Sequence, residues 1–267
     1  AILEVKLTGD ALDRTSVSAQ GGGFYRSIDN TIVWDKSSTP ALSELGPRKA
    51  GRVDFSFSLL PISGNVLSLR NPQVTVEATL RGTRFADDGA PEEVVSTATK
   101  VIKVLSNLSL NSRLVHTVGP FNNSGPMPPQ AEKETTYTVI WTVNNAFNRV
   151  SGASVHASLP PYIQWLNVIS PPSEQISYDV QNREVVWTLG EVEGGTGVTR
   201  PAREIAFQIS FLPSLGQVQS IPVIVNTATL SGLDRFTNTS LESTSLPLTT
   251  WLSTDPGVAP GHERVTP

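Results

Sequence analysis

At 267 residues the chain is long enough for about two domains, each with its own buried core. Charged residues make up 16% and the net charge is −4, which excludes a basic footprint for nucleic acid. With no cysteine, disulfides, thiolate metal sites and a cysteine nucleophile are excluded, while export and cytosol both remain open. Ala1 is not a start methionine, no signal-like segment precedes the first strand-like run, and the longest apolar stretch, IPVIV at 221–225, is far too short to span a membrane. The chain therefore reads as a soluble piece of something longer.

In chain order, AILEVKL opens as a strand-like run and is followed by YRSIDNTIVW, which spaces Tyr25 and Trp34 nine residues apart. RVDFSFSL at 52–59 alternates strictly, with Val53, Phe55, Phe57 and Leu59 on one face. EATLRG follows at 77–82, then the acidic stretch ADDGAPEE at 86–93, then LSLNSRLVHT at 108–117 and a Pro/Gly-rich segment at 119–134. TYTVIWTV at 136–143 aligns Tyr137, Val139, Trp141 and Val143, and YDVQNREVVW spaces Tyr178 and Trp187 nine residues apart. REIAFQISF aligns Ile205, Phe207, Ile209 and Phe211, and TATLSG at 227–232 nearly repeats EATLRG. Period-two runs rich in Val, Ile, Thr and aromatics predict half-buried antiparallel strands. Turn signals separate them at Gly21–Gly23, Asn30, Gly46–Pro47, Asn71–Pro72, Pro171–Pro172 and Gly194–Gly195.

Four of these blocks recur in one order at nearly constant spacing. FSFSLLP ends 27 residues past Trp34 and FQISFLP ends 26 past Trp187; Gly82 and Gly232 lie 21 and 19 residues past the two prolines. This spacing reads as an internal duplication with a period of about 150 residues, and hence as tandem domains. The predicted fold is all-β, two tandem immunoglobulin-like antiparallel β-sandwiches. The expected limits are 1–105 for a first sandwich lacking its opening strands, 106–250 for a complete one including the Pro-rich segment, and 251–267 for an exposed linker. The Pro-rich segment is either a crossing loop tied to the second sandwich or a hinge.

The second copy reads TTYTVIWTVNN, GASVHASLPPYIQW, VVWTLGEVEGGTG, REIAFQIS and VNTATLSG. In this order of strands it resembles the conserved-repeat surface domain of bacterial envelope proteins, a family of domain-of-unknown-function type. The matching positions are Asn144, Val155, Leu159, Pro160, Trp187, Gly194, Phe207, Asn226 and Ala228. The resemblance covers about 105–250 well and 1–105 more loosely. It implies an immunoglobulin-like sandwich on a large extracellular protein, often in repeats, with no catalytic residues.

Aligning AILEVKL with ASVHASL leaves the first copy without a counterpart to TTYTVIWTVNN. Burial of four such side chains contributes roughly 6–12 kcal/mol, comparable to the stability of a whole domain. An open apolar slot and an unpaired edge are therefore expected in the first copy, with Ile2, Leu3, Glu4, Val5, Lys6 and Leu7 as the candidate assembly edge. Three readings account for the gap: the upstream part of a longer chain holds those strands, another copy of the chain donates one, or the domain closes with fewer strands, borrowing LSLNSRLVHT.

The expected structural core comprises Tyr25, Trp34, Phe55, Phe57, Trp141, Tyr178, Trp187, Phe207 and an inward Asn226. No cofactor, catalytic group or metal centre is predicted. His116, His156 and His262 have no ligand spacing, and Gly194–Gly197 with Arg200 and Arg203 lacks the ending and helix of a phosphate cradle. The carboxylates Asp87, Asp88, Glu92 and Glu93 fit no calcium loop and read as a solvated loop. The expected function is a non-enzymatic, rod-like spacer or assembly subunit at a cell surface. The alternative is an adhesin-type module recognising a carbohydrate or protein through sandwich-end loops, with Tyr162, Trp165 and Phe121 as its aromatic candidates.

Overall fold

A computed structural model describes residues 1–46, 48–61, 69–85 and 89–267. The chain divides into two compact units, Ala1–Val104 and Leu105–Pro267. Among the described residues the regular structure is almost entirely β-strand, with short 3₁₀ turns at Pro40–Leu42 and Leu215–Gln217.

Unit 1 contains β1 (Ile2–Thr8), β2 (Leu12–Ala19), β3 (Phe24–Arg26), β4 (Thr31–Trp34), β5 (Phe55–Leu59), β6 (Gln73–Phe85) and β7 (Pro91–Lys103). A five-stranded antiparallel sheet has the order β3-β4-β1-β6-β7, and β2 and β5 form a second sheet of two. Val5, Leu7, Ile32, Trp34 and Val74 from the larger sheet meet Leu12, Phe55 and Phe57 from the smaller one.

Unit 2 contains β8 (Leu108–Val115), β9 (Thr135–Asn145), β10 (Val150–Ser158), β11 (Ile163–Ser170), β12 (Gln175–Asp179), β13 (Glu184–Val192) and β14 (Arg203–Phe211). It continues with β15 (Val223–Val225), β16 (Ala228–Asp234), β17 (Thr239–Ser245) and β18 (Leu248–Thr249). Its larger sheet runs β12-β13-β10-β16-β17 and faces a four-stranded sheet β11-β14-β9-β8, with β15 and β18 as a small separate pair. Alternate residues of β9 and β14 point into the space between the sheets, so Tyr137, Val139, Trp141, Val143, Ile205, Phe207, Ile209 and Phe211 are all fully buried. Trp141 meets Phe207 edge-on, with ring centroids 4.9 Å apart. Both units are immunoglobulin-like β-sandwiches.

The larger sheets share a register as well as an order. In unit 1 Leu3 lies opposite Trp34 on one side and Leu80 on the other. In unit 2 Val155 lies between Trp187 and Leu230 in the same way. The two tryptophans are completely buried, and each indole N–H finds an acceptor: Trp34 donates to the Gln20 carbonyl at 2.8 Å and Trp187 to Glu174 at 2.8 Å.

Two expectations about the ends of unit 2 need correction or resolution. Residues 251–267 are not an exposed linker. Leu252 and Val265 are buried in the unit 2 core, Ala131 N–H donates to the Thr266 carbonyl, and Gln219 N–H donates to that of Val265. The segment has no alternation to read because it is held by single anchors rather than by a strand ladder. The Pro-rich segment is tied to the sandwich rather than hinged: Thr136 N–H donates to the Ser124 carbonyl, Gln208 to Asn123, and Met127 packs on the core.

The tail is anchored by Asp255, which is almost fully buried and accepts from the Thr117 hydroxyl and from the backbone N–H groups of His116, Thr117 and Gly257. Burial pushes its carboxyl up, but these hydrogen bonds outweigh that and hold the pKa below the ordinary 3.8. A carboxylate that is more acidic in the folded state contributes stability above its unfolded pKa and loses it as pH falls through the lower folded value. Unit 2 should therefore melt at a constant temperature down to about pH 5 and lose stability below about pH 4. Asp255→Asn should lower the neutral-pH melting temperature and flatten the acid limb; calorimetry between pH 7 and 3 checks both.

Candidate functional site

The larger sheets match, so the difference between the units lies in what faces them. In unit 2, β14 is paired on one side with β11 and on the other with β9. Its counterpart β5 is paired only with β2. Among the described residues, unit 1 has no strand in the place of β9 or β8.

The backbone of β5 makes the vacant side explicit. Gln20 N–H donates to the Asp54 carbonyl, Leu60 N–H to that of Ala11, and Ser58 N–H to the Ser16 hydroxyl. Alternate residues thus turn towards β2, and the N–H and C=O groups of Phe55, Phe57 and Leu59 point to the free side. The regular strand covers only 55–59 of the expected 52–59. Arg52–Asp54 lie outside the regular strand, with the Asp54 carbonyl bonded to Gln20 N–H, whereas the aligned residues of β14 are paired with β9.

The side chains record the same vacancy. Phe211 is fully buried, whereas Leu59, the matching residue in FSFSLLP, is 42% exposed. Leu230 is fully buried, whereas Leu80 is only half-buried. Every residue of β7 is exposed, including Val94 at 46% and Ile102 at 38% on the face shared with Val74. In unit 2 that face is covered, because β8 packs across β17 and Leu110 N–H donates to the Ser243 hydroxyl. A groove of about 590 Å³ is left along the uncovered face, lined by Leu45, Leu80, Phe85, Val94 and Ser96, with Ala1 at its rim.

The candidate edge residues do not lie at this vacancy. Ile2, Leu3, Glu4, Val5, Lys6 and Leu7 belong to β1, which is hydrogen-bonded on both sides in the middle of its sheet. A strand in that position has no free ladder groups, so the open edge is β5. The signal was available: AILEVKL aligns with ASVHASL of central β10, and FSFSL aligns with the strand that β9 pairs. Asn226 also departs from expectation. It is exposed, donating to the Ser158 hydroxyl, because the chain leaves the strand pattern between β15 and β16. The buried asparagines are Asn145 and Asn148, at the end of β9 and in the turn after it.

Of the remaining core candidates, Trp34, Trp141, Trp187 and Phe207 are fully buried, while Tyr25, Phe55, Phe57 and Tyr178 are half-buried. The aromatic loop candidates pack within unit 2. Trp165 stacks on Tyr178 at 5.8 Å, Tyr162 meets Phe211 at 5.6 Å and donates to the Val223 carbonyl, and Phe121 lies on Val115, Ile140 and Ala206. Arg203 is engaged in a two-pronged ion pair with Glu174, and the Gly194–Gly197 stretch forms a tight turn. Among the described residues no three His, Asp or Glu side chains are grouped to hold a metal. Asp87 and Asp88 lie outside the described residues; Glu92 pairs with Arg84 at 2.6 Å and Glu93 with Arg81 at 3.7 Å.

No family model matches the sequence, and no similar curated protein is found. The resemblance to the conserved-repeat domain therefore rests on the quoted strands alone. Solved structures give distant likenesses. The chain is similar to BcpA, the major pilin subunit of Bacillus cereus (TM-score 0.37, 10% identity, 92% of this chain and 68% of that one). It is similar to the C-terminal domain of the antigen I/II polypeptide BspA of Streptococcus agalactiae (0.32, 9%, 91% and 82%). It is also similar to the full-length major pilin SpaD of Corynebacterium diphtheriae (0.35, 8%, 93% and 58%). The chain spans less than two thirds of SpaD and of a BcpA variant, 58% and 64% of their lengths. At these scores the likenesses carry no argument.

Proposed function

We propose that the chain is a non-enzymatic structural module of a bacterial cell-surface protein or extracellular fibre. It consists of two copies of one sandwich and acts as a spacer or assembly subunit whose first copy receives a strand from a neighbouring chain. The observation that carries this reading is the free side of β5 beneath an uncovered apolar face, at a place where the second copy has two strands. The surface location is supported by the resemblance of the strand blocks to an envelope-protein repeat. No helix among the described residues is long and apolar enough to cross a membrane. The adhesin alternative gains no support from Tyr162, Trp165 or Phe121, whose rings are used in packing.

Light scattering of the purified chain over a hundredfold concentration range, with negative-stain imaging of the same samples, tests this function. Mass that rises with concentration, with elongated particles, is the expected result. A constant monomer mass, with the β5 amides already protected from exchange, would mean that the first unit closes by itself and would remove the assembly role.

A further inference from the structure

The vacancy in unit 1 is defined closely enough to specify what fills it; this inference rests on the assembly reading. In unit 2, β9 runs antiparallel to β14 in the register Phe207↔Val139, Ile209↔Tyr137 and Phe211↔Thr135. The shared register of the larger sheets carries that geometry onto unit 1, where Phe55, Phe57 and Leu59 stand for Phe207, Ile209 and Phe211. We propose that the free side of β5 is a docking site for an extended segment of a second polypeptide with the chemistry of β9. That segment carries apolar or aromatic side chains at every second position and threonine-like residues between them. It runs antiparallel to β5, with its residues opposite Phe55 and Phe57 filling the places of Val139 and Tyr137.

Two observations single out β5. The first is its lack of protection. Exposed sheet edges are ordinarily guarded by charge, proline or a bulge. The edge strand β7 carries Glu92, Glu93, Lys100 and Lys103, whereas Phe55–Leu59 contains no charge and no proline. The irregularity in its pairing lies on β2, where Asp13 and Ser18 face Ser58 and Ser56. The second observation concerns the donor. The side chains of Tyr137, Val139, Trp141 and Val143 are fully buried in unit 2, so β9 of another copy cannot leave its place without unfolding that unit. The donor is therefore a segment that carries the same pattern outside a closed unit 2, so self-assembly of the purified chain requires a copy whose unit 2 has opened. Backbone pairing supplies the affinity of such strand addition, and the alternate side-chain pockets supply the selectivity.

The test uses the whole 267-residue chain and a labelled synthetic peptide of residues 135–145, TTYTVIWTVNN, with a solubilising lysine tail. Saturable binding, read by fluorescence anisotropy, should protect the Phe55, Phe57 and Leu59 amides from hydrogen exchange. Methylating alternate peptide nitrogens on the pairing side should weaken binding at least tenfold with the side chains unchanged. Leu59→Pro, which removes an N–H that β2 does not use, should do the same; Leu59→Asp is a second variant should the proline disturb the fold. Absence of protection at saturating peptide, or binding indifferent to methylation, overturns the proposal. So does a chain carrying a copy of residues 135–149 ahead of Ala1 that protects β5 when free peptide never does, since the strand then arrives in cis. If the chain assembles on concentration but the peptide fails, this donor chemistry falls and assembly stands. If the peptide binds a chain that stays monomeric, the docking site stands and self-assembly falls.

Discussion

Asp234→Ala should cost unit 2 about 3–5 kcal/mol, the largest loss expected from one polar substitution in this chain. Asp234 is fully buried at the end of β16. One carboxylate oxygen accepts from Ser106 N–H at 2.9 Å and Asn148 Nδ2 at 2.7 Å; the other accepts from Phe236 N–H at 2.9 Å and Thr237 N–H at 3.1 Å. The network continues through the Ser106 hydroxyl, which donates to Asn145 Oδ1 and accepts from the N–H groups of Phe147 and Asn148. Asn145 in turn donates to the carbonyls of Asn148 and Val192. Removing the carboxylate leaves four donors without their acceptor in a place that water reaches poorly, and each orphaned group costs about 1–3 kcal/mol before relaxation. Burial pushes the Asp234 carboxyl up, yet the bonds from Asn148 and the three N–H groups outweigh it and keep the pKa below 3.8. Asp234→Asn retains one acceptor and should fall between Ala and the parent. Urea midpoints at neutral pH rank the three; equal midpoints would mean that the network adds nothing to stability.

The second large effect is a contrast between matched positions. Phe211→Ala should destabilise unit 2 by about 3–5 kcal/mol, as expected for an aromatic ring removed from a closed core. Leu59→Ala, the same position in unit 1, should cost about 1 kcal/mol or less, because its side chain is already 42% exposed and leaves no enclosed cavity. Hydrogen exchange under increasing urea reports the two units separately. Equal losses at the two sites would show that unit 1 is as closed as unit 2. When the peptide of residues 135–145 is bound, the cost at Leu59 should rise towards that at Phe211, which ties the stability contrast to the vacancy itself.

Much of the fold was legible because alternation reports which face of a strand is buried. Tyr137, Val139, Trp141 and Val143 could be read as one inward row from residue types alone, and the repeated Tyr-to-Trp spacing placed Trp34 and Trp187 at matching points of two sheets. Alternation says nothing about which side of a strand is hydrogen-bonded, since pairing partners are set by long-range topology. For that reason the sequence points to Ile2–Leu7 as the open edge, although the alignment with β10 puts that strand in mid-sheet. Asn226 misled for a related reason: the alternation of Ala228 and Leu230 does not extend across the break after β15. The tail offered no period at all. Its burial depends on Leu252, Val265 and the Asp255 carboxylate, and isolated anchors in a Pro/Gly-rich stretch leave no repeating trace.

The tail also fixes the order in which the molecule can be completed. Asp255 binds His116 and Thr117 across a sequence separation of 138–139 residues, and Val265 is buried in the unit 2 core. As the polypeptide emerges from a ribosome or export channel, the strands of unit 1 are all outside while unit 2 still lacks these anchors. Unit 2 therefore cannot close until residue 265 is free, and contacts of such long sequence separation make that closure slow. In vectorial synthesis the strands of unit 1 can therefore pair with one another while unit 2 is still waiting for its last anchors.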